Sequence, residues 1–187
     1  MEVLTAPHET NLITGEELLA MGDIGSCELI DGRLVPMSLT GGEHGIIESV
    51  LSHVLTTFVR QRKLGWVMSG EVGIYTRRNP DRVRGADIAL VSNKRLSRRP
   101  SGGFLEVAPE LIVEIISPSD RWSDMRRKLD EYFAIGVPPV WVVEPDNRTV
   151  LVYQTPTSFR ELAESDTLVG EGVLDGFSLP VADLFAE

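Results

Sequence analysis

Hydrophobic residues recur at two different spacings along this chain, and the two spacings predict a long helix followed by a sheet. Between residues 43 and 60 the apolar side chains stand three or four positions apart, which is typical of an amphipathic helix. Residues 86–91 and 111–117 are instead nearly continuous apolar runs, as in strands that are buried on both faces. The helix therefore has a sheet on which to pack its apolar stripe.

Shorter elements are predicted on either side of this helix. Thr14, followed three residues later by Glu17, is the capping-box pattern that begins a short N-terminal helix. Residues 27–37 form two short apolar stretches joined at Asp31-Gly32, a dipeptide that favours the tight turn of a β-hairpin. Further strands are predicted at residues 65–69, 71–75, 140–143 and 149–153.

A second helix is predicted over residues 120–135. Ser117 and Pro118 supply the capping serine and the first-turn proline of a helix start, and Gly136 with the two prolines after it marks the end. A right-handed crossover through this helix should place strands 111–117 and 140–143 in parallel. The element order predicts one α/β domain over residues 1–187, with a mixed central sheet flanked by helices and an N-terminal β-hairpin.

The composition is that of a globular, non-membrane protein. A chain of 187 residues is long enough for one domain with a sizeable core. Cys27 is the only cysteine and cannot form an internal disulfide, and the N-terminus lacks the pattern of an export signal, so a cytoplasmic location is expected. No apolar run approaches the roughly 18 residues of a membrane span.

The charge is distributed unevenly along the chain. The net charge of -10 argues against broad nonspecific attraction to nucleic acid. Residues 76–99, however, contain eight lysine or arginine residues and only two aspartates. Such a run is either a solvated loop face or a surface that contacts phosphates, and the sequence leaves both open. The residues that we assign to nucleic-acid contact are Arg77, Arg78, Arg82 and Arg84.

Two acidic residues interrupt the apolar strands. Glu114 lies between apolar neighbours and Asp87 lies at the start of its apolar run, so either side chain needs a partner if it is ionised and buried. That partner is a lysine or arginine if the acid forms a structural salt bridge. If the two acids lie together, they repel each other unless a proton or cation stands between them, and oxygen ligands favour Mg²⁺ or Mn²⁺.

Lys128 has two possible partners. It lies four residues after Asp124 and four before Tyr132, so the three side chains share one helical stripe. The ammonium group either points toward the buried acids or forms a surface ion pair with Asp124, and the spacing by itself favours the surface pair.

Five sequence blocks together resemble one protein family. They are CELIDGRL at residues 27–34, EHG at 43–45, GADIALV at 85–91, APELIVEIISPSD at 108–120 and KLDEYFAIGVPPVWVV at 128–143. On these blocks the chain resembles the Uma-two group of the PD-(D/E)XK superfamily, which has a restriction-endonuclease-like fold. The resemblance spans most of the chain.

This resemblance implies a metal-dependent nuclease site. Asp87 and Glu114 match the two metal-binding acids, and Lys128 looks like the catalytic lysine moved from the strand to the following helix. A complete site would hold Mg²⁺ or Mn²⁺ with these acids and the backbone carbonyl of Ile115. Glu43 is a further catalytic candidate. The accessory candidates are Glu28, His44 and Tyr132.

Two departures from the family pattern concern this site. Ala86 stands before the aspartate, where many relatives have proline. Ile116 stands two residues after the second acid, where the superfamily motif has its lysine. Activity therefore depends on whether Lys128 can replace that lysine.

Three functions remain open at this point. The first is a metal-dependent endonuclease that hydrolyses DNA, acting as a homodimer with one site for each strand. The second is a catalytically inactive protein of nuclease fold that serves as a binding or assembly module. The third, favoured by the acidic composition, is a metal-independent protein–protein module. The nuclease alone requires Asp87, Glu114 and Lys128 to converge on one accessible point.

Overall fold

The computed structural model describes residues 12–186, and three α-helices lie within that range. They are α1 (Gly15–Ala20), α2 (Gly42–Arg62) and α3 (Trp122–Ala134). Thr14 caps α1 with the predicted capping box, since its hydroxyl accepts a hydrogen bond from the Glu17 N–H and its own N–H donates to the Glu17 carboxylate. No helix in residues 12–186 is long and apolar enough to cross a membrane.

Ten strands form two sheets in the described part of the chain. The strands are β1 (Cys27–Ile30), β2 (Arg33–Pro36), β3 (Gly65–Arg77), β4 (Arg82–Ser92), β5 (Leu111–Ile115), β6 (Val140–Glu144), β7 (Thr149–Thr155), β8 (Ser158–Leu162), β9 (Thr167–Val169) and β10 (Ser178–Pro180). The main sheet has the order β2-β1-β4-β5-β6-β7-β8, with β3 paired to β4, and β9 and β10 form a small second sheet. Most pairs are antiparallel, but β5 and β6 are parallel, as the crossover through α3 predicts.

The N-terminal hairpin forms as predicted. Asp31 and Gly32 both have positive φ angles, of 54° and 75°, between strands β1 and β2. These are the angles of a tight hairpin turn, which glycine and aspartate tolerate at low cost.

Two hydrophobic layers cover the main sheet, one on each face. α2 packs on the first face, where Ile47 and Leu51 join Ile88 of β4 and Val113 of β5. α3 packs on the second face through Met125, Leu129 and Tyr132. The apolar runs of β4 and β5 are thus buried on both sides, which confirms the mixed sheet flanked by helices.

One edge of strand β4 is only partly paired with neighbouring strands. β3 pairs with β4 along nearly all of its length. On the other edge, β1 pairs with β4 at Val83, whereas the pairing with β5 begins at Ile88. Because β1 and β5 contact different ends of β4, a gap is left between them, and the Gly85 N–H and C=O bond to side chains there.

Two details differ from the sequence-based expectation. Residues 65–69 and 71–75 are one strand, β3, with a bulge in which Gly70 and Glu71 both adopt positive φ. A bulge interrupts the side-chain alternation, so the sequence reads as two strands. Helix α3 begins at Trp122, later than expected, because the Asp120 carboxylate accepts a hydrogen bond from the Ser117 N–H and forms a turn ahead of the helix.

Candidate active site

The gap along β4 opens into a cleft of about 500 Å³. Glu28 of β1, Asp87 of β4 and Glu114 of β5 line it, and the helices contribute His44 and Lys128. A larger groove of about 690 Å³ runs along α2 but contains none of these three acids. The titratable groups that can support chemistry are therefore concentrated in the smaller cleft.

Glu114 is the most deeply buried acid of the cleft, with only 4% of the residue exposed. Its Oε1 accepts a hydrogen bond of 2.6 Å from the Tyr132 hydroxyl, and its Oε2 accepts one of 2.9 Å from Lys128 Nζ. Burial raises the pKa of Glu114 to about 7; the positive charge of Lys128 opposes this rise and the negative charge of Asp87 adds to it. The carboxyl group lies where additional positive charge would stabilise its ionised form.

Lys128 lies between two acids. Its Nζ is 2.9 Å from the Glu114 carboxylate and 3.5 Å from that of Glu28, and it donates a hydrogen bond of 2.9 Å to the Gly85 carbonyl. Burial opposes the charge of Lys128, but the two carboxylates outweigh burial and raise its pKa. The expected surface pair with Asp124 is wrong, because Asp124 pairs with Arg127.

Asp87 lies beside Glu114 because of the strand register. It directly precedes the Ile88–Val113 pair of β4 and β5, so the next position on β5 is Glu114. Its Oδ2 accepts a hydrogen bond of 2.6 Å from the Ile115 N–H, and its Oδ1 is 3.3 Å from His44 Nε2. Asp87 is therefore held by the backbone of one strand and the side chain of α2.

His44 is the α2 residue that faces the cleft. It is 5% exposed, and its Nδ1 has no hydrogen-bond partner within the described residues. The neighbouring Glu43 is exposed and does not line the cleft, because successive helical residues point about 100° apart. The geometry thus favours His44 over Glu43 as the α2 residue near the acids.

Glu28 connects the cleft to a network of buried charges. Its carboxylate accepts hydrogen bonds from Arg84 Nη1 at 2.7 Å and from the Gly85 N–H at 3.1 Å. Arg84 in turn binds both carboxylate oxygens of Glu131 on α3, each at 2.7 Å. Arg82 also bonds to Glu131 at 2.7 Å. The network ties the hairpin, β4 and α3 together around Lys128.

Comparison with known proteins identifies the family. Residues 16–182 match the Uma2 family, whose description is "Putative restriction endonuclease". This chain belongs to the Uma2 family. A crystal structure described as that of a putative nuclease belonging to DUF820, from Anabaena variabilis ATCC 29413, has the same fold. The two share 24% identity and a TM-score of 0.77 over 92% of this chain and 97% of that chain. No curated protein matches the sequence.

These findings confirm the family and the restriction-endonuclease-like fold that the sequence blocks predict. The site residues are a separate question, since 24% identity establishes the shared fold alone. The roles of individual residues in this Uma2 protein therefore rest on the contacts described above.

The donor set of this Uma2 protein fits one class of metal ion. Within residues 12–186, no three His, Cys, Asp or Glu side chains are grouped closely enough to hold an ion. A closed structural zinc site is thus a poor match, because it takes four protein ligands. Mg²⁺ is commonly bound by one or two carboxylates with waters and substrate phosphates, and Asp87 and Glu114 supply that number. Carboxylate oxygens that accept one hydrogen bond keep a further lone pair for a metal.

The four arginines that we assigned to nucleic-acid contact require a correction. Arg84 is only 8% exposed and binds Glu28 and Glu131, so it cannot contact a phosphate backbone. The other three also bind acidic side chains: Arg77 binds Asp31, Arg78 binds Glu16, Asp81 and Glu106, and Arg82 binds Asp31 and Glu131. These arginines stabilise the fold around the hairpin, because acidic residues distant in sequence come to lie beside them.

Sequence reasoning missed one residue of the site, Glu131. It lies three residues after Lys128 and receives hydrogen bonds from Arg82, Arg84 and the Thr76 hydroxyl. It belongs to the KLDEYF segment on which the family resemblance rests, and that position is the only signal that would have identified it.

The contact between His44 and Asp87 makes stability depend on pH. Burial disfavours the charged imidazolium, but the hydrogen bond and negative charge of Asp87 outweigh burial and raise the pKa of His44 above 6.5. A raised folded-state pKa contributes stability that is complete below pH 6.5 and is lost as the pH rises through that pKa. We expect His44→Gln to reduce the fall in the free energy of unfolding between about pH 6 and about pH 8. The Glu114 carboxyl, whose pKa is raised to about 7, contributes to the same fall in both proteins.

Urea denaturation at about pH 6 and about pH 8 measures the effect. His53→Gln is the matched variant, since His53 lies on the exposed side of the same helix and does not contact Asp87. This variant should keep the pH dependence of the wild type. A His44→Gln protein with the wild-type difference between the two pH values would contradict the prediction.

Proposed function

We propose that this chain is a Mg²⁺- or Mn²⁺-dependent endonuclease that hydrolyses phosphodiester bonds in DNA. The observation that carries the proposal is the convergence of Asp87, Glu114 and Lys128 in one accessible cleft, with 2.9 Å between Lys128 Nζ and Glu114. Membership of the Uma2 family, and the fold shared with the protein described as "a putative nuclease belonging to DUF820", support the same class of function.

Asp87 and Glu114, with the backbone carbonyl of Ile115, are the groups that would hold the metal ion. A bound divalent ion activates a water molecule and stabilises negative charge on the phosphate. His44 holds Asp87 through the contact at 3.3 Å, and Tyr132 holds Glu114 through its hydroxyl. Protein groups therefore hold both acids in their orientation.

Lys128 serves as a fixed positive charge in this proposal. Its raised pKa keeps it protonated at neutral pH, so it does not act as a general base. The ammonium group can instead donate a hydrogen bond to the attacking water or to a phosphate oxygen, and it offsets the charge that develops in the transition state. Glu28 and the Gly85 carbonyl keep the group in position. A homodimer that presents one such site to each DNA strand belongs to the same proposal.

A second candidate follows from the contacts of Glu114. Both of its oxygens already accept hydrogen bonds from Lys128 and Tyr132, so the acid is stable in the fold without a metal. This favours a nuclease-fold protein that has lost catalysis and acts as a binding or assembly module. The two candidates differ in one observable property, which is hydrolysis.

Cleavage of supercoiled plasmid in Mg²⁺ or Mn²⁺ distinguishes them. We expect wild-type protein to nick or linearise the plasmid, and Asp87→Asn and Glu114→Gln to abolish this activity. Glu164→Gln is the control, because Glu164 pairs with Arg148 outside the cleft. Activity that survives in both cleft variants would exclude this site. No cleavage of DNA or RNA by the wild type would favour the binding module.

A further inference from the structure

Most of the cations that form no ion pair within residues 12–186 lie in two neighbouring segments of the chain. The chain has 18 lysine and arginine residues, and Arg33 is set aside because it has a partner. Nine of the others form no ion pair within the described part of the chain. Six of the nine lie at the end of α2 and in the loop after β4. These six, which we call the α2-end patch, are Arg60, Arg62, Lys63, Lys94, Arg98 and Arg99.

Tertiary contacts bring the two segments of the α2-end patch together. Gly65 pairs with Ser92 at the ends of β3 and β4, and the Asn93 N–H donates a hydrogen bond of 2.9 Å to the Leu64 carbonyl. The Asn93 side chain donates a further bond of 2.8 Å to the Lys63 carbonyl. The Trp66 indole N–H donates to the Leu96 carbonyl at 3.3 Å. The patch is therefore built on hydrogen-bonded backbone.

A polar groove leads from this patch toward the cleft. The groove of about 690 Å³ extends along α2 from Gly45, next to His44, to Arg60 in the patch. Hydroxyl and imidazole groups that can donate hydrogen bonds line much of it: Ser49, Ser52, His53, Thr56, Thr57 and Ser69. It holds one acid, Glu48, whose carboxylate accepts a hydrogen bond from the Gly70 N–H.

We infer that the α2-end patch and this groove bind the phosphate backbone of a nucleic-acid duplex whose scissile bond lies in the cleft. Hydroxyl groups, arginine and lysine are the side chains that contact phosphates, and they position a duplex without reading its sequence. The patch lies about 25 Å from His44 along the helix at roughly 1.5 Å per residue, which corresponds to about seven base pairs of duplex. Only one part of the inference rests on the proposed function, namely that the scissile bond lies in the cleft.

The composition of the patch distinguishes this partner from a membrane. The large hydrophobic residues of the two segments that carry the patch, Leu64, Trp66 and Leu96, are not among the exposed ones. Proteins that lie on lipid surfaces combine cations with exposed apolar residues. Helix-end cations such as Arg60 and Arg62 also stabilise the α2 C-terminus, but this does not explain the three cations of the loop.

Duplex binding in EDTA tests the inference without any cleavage. The assay is fluorescence anisotropy of a labelled duplex of about 20 base pairs, as DNA or as its RNA counterpart, over a range of KCl concentrations. The test variant is Arg98→Glu/Arg99→Glu. The matched variant is Arg126→Glu/Arg160→Glu, which changes the net charge equally through two exposed arginines elsewhere that form no ion pair within the described residues.

We expect the Arg98/Arg99 variant to bind at least about tenfold more weakly than wild type. The negative slope of the logarithm of the association constant against log [KCl] should also become shallower by about 2. Each lost phosphate contact removes about 0.9 from its magnitude. The matched variant should keep the wild-type slope, since neither Arg126 nor Arg160 lines the groove or the cleft. Arg98→Gln/Arg99→Gln gives the same comparison without reversing charge.

Three results would overturn the inference. The first is an equal loss of duplex affinity in the two charge-reversed variants, and the second is no loss of duplex affinity in either. The third is binding of anionic vesicles or polyglutamate with no binding of duplex. If cleavage depends on Glu114 but Arg98 and Arg99 are dispensable for binding, the inference about the α2-end patch is wrong and the proposed hydrolysis stands. Patch-dependent binding without cleavage in Mg²⁺ or Mn²⁺ would overturn the proposed hydrolysis alone.

Discussion

We expect Lys128→Met to lower the rate of metal-dependent DNA cleavage by about a hundredfold to a thousandfold, the usual effect of losing one donor at a developing negative charge. Methionine has a similar length and packs in the same space, but it lacks the ammonium group that lies 2.9 Å from Glu114. The loss should appear mainly in kcat, because the interaction strengthens as charge develops on the phosphate.

The control for this prediction lies on the same helix. Arg126 is exposed, makes no ion pair within the described residues and does not line the cleft, so Arg126→Met should retain the wild-type rate. Circular dichroism and urea denaturation establish that both variants are folded under the assay conditions. Full activity in a folded Lys128→Met protein would show that Lys128 has no catalytic role. The site would then need another cation in its place.

The second large effect is expected on stability, from Arg84→Met. Arg84 is 8% exposed and neutralises Glu28 and Glu131 through three hydrogen bonds of 2.7 Å each. Its removal leaves Glu28, which is 7% exposed, with the Gly85 N–H at 3.1 Å and, as its one cationic partner within residues 12–186, Lys128 at 3.5 Å. Removing one partner of a buried ion pair costs about 3–5 kcal/mol, so we expect the free energy of unfolding to fall by that amount.

Urea denaturation at neutral pH measures this change in the free energy of unfolding. Arg127→Met is the matched variant, since it breaks an exposed pair with Asp124 on α3. Such exposed pairs contribute less than about 1 kcal/mol. If Arg84→Met cost no more than Arg127→Met, the buried network would not be holding the hairpin to α3.

Several parts of the site follow from local sequence. An acid inside a continuous apolar strand is expensive to bury, so Asp87 and Glu114 stand out in the sequence alone. The hairpin turn at Asp31-Gly32 and the end of α3 near Gly136 likewise depend on backbone preferences of a few adjacent residues. These features need no knowledge of distant contacts.

The rotation of α2 was only partly predictable. Both Ile46 and Ile47 belong to the apolar stripe of the sequence, yet Ile46 is 60% exposed and Ile47 is 1% exposed. His44 is three residues before Ile47, so it lies on the buried face and reaches Asp87, whereas Glu43 does not. A stripe that wide permits more than one rotation, and packing against the sheet selects one.

The sequence therefore predicted the acids of the cleft better than it predicted the partners of the arginines in residues 77–84. Periodicity, turn chemistry and burial cost are local properties, so they were enough to predict most helices and strands and to single out Asp87 and Glu114. The family, and Lys128 as a candidate, came from the resemblance of the five sequence blocks. The folded chain was needed to show that Lys128 pairs with Glu114 and not with Asp124. It was also needed to show that the arginines of residues 77–84 are bound to acids, while Arg98 and Arg99 form no ion pair within the described residues. The physical reason is that an ion pair depends on distance in space, and residues that are far apart in the chain set that distance.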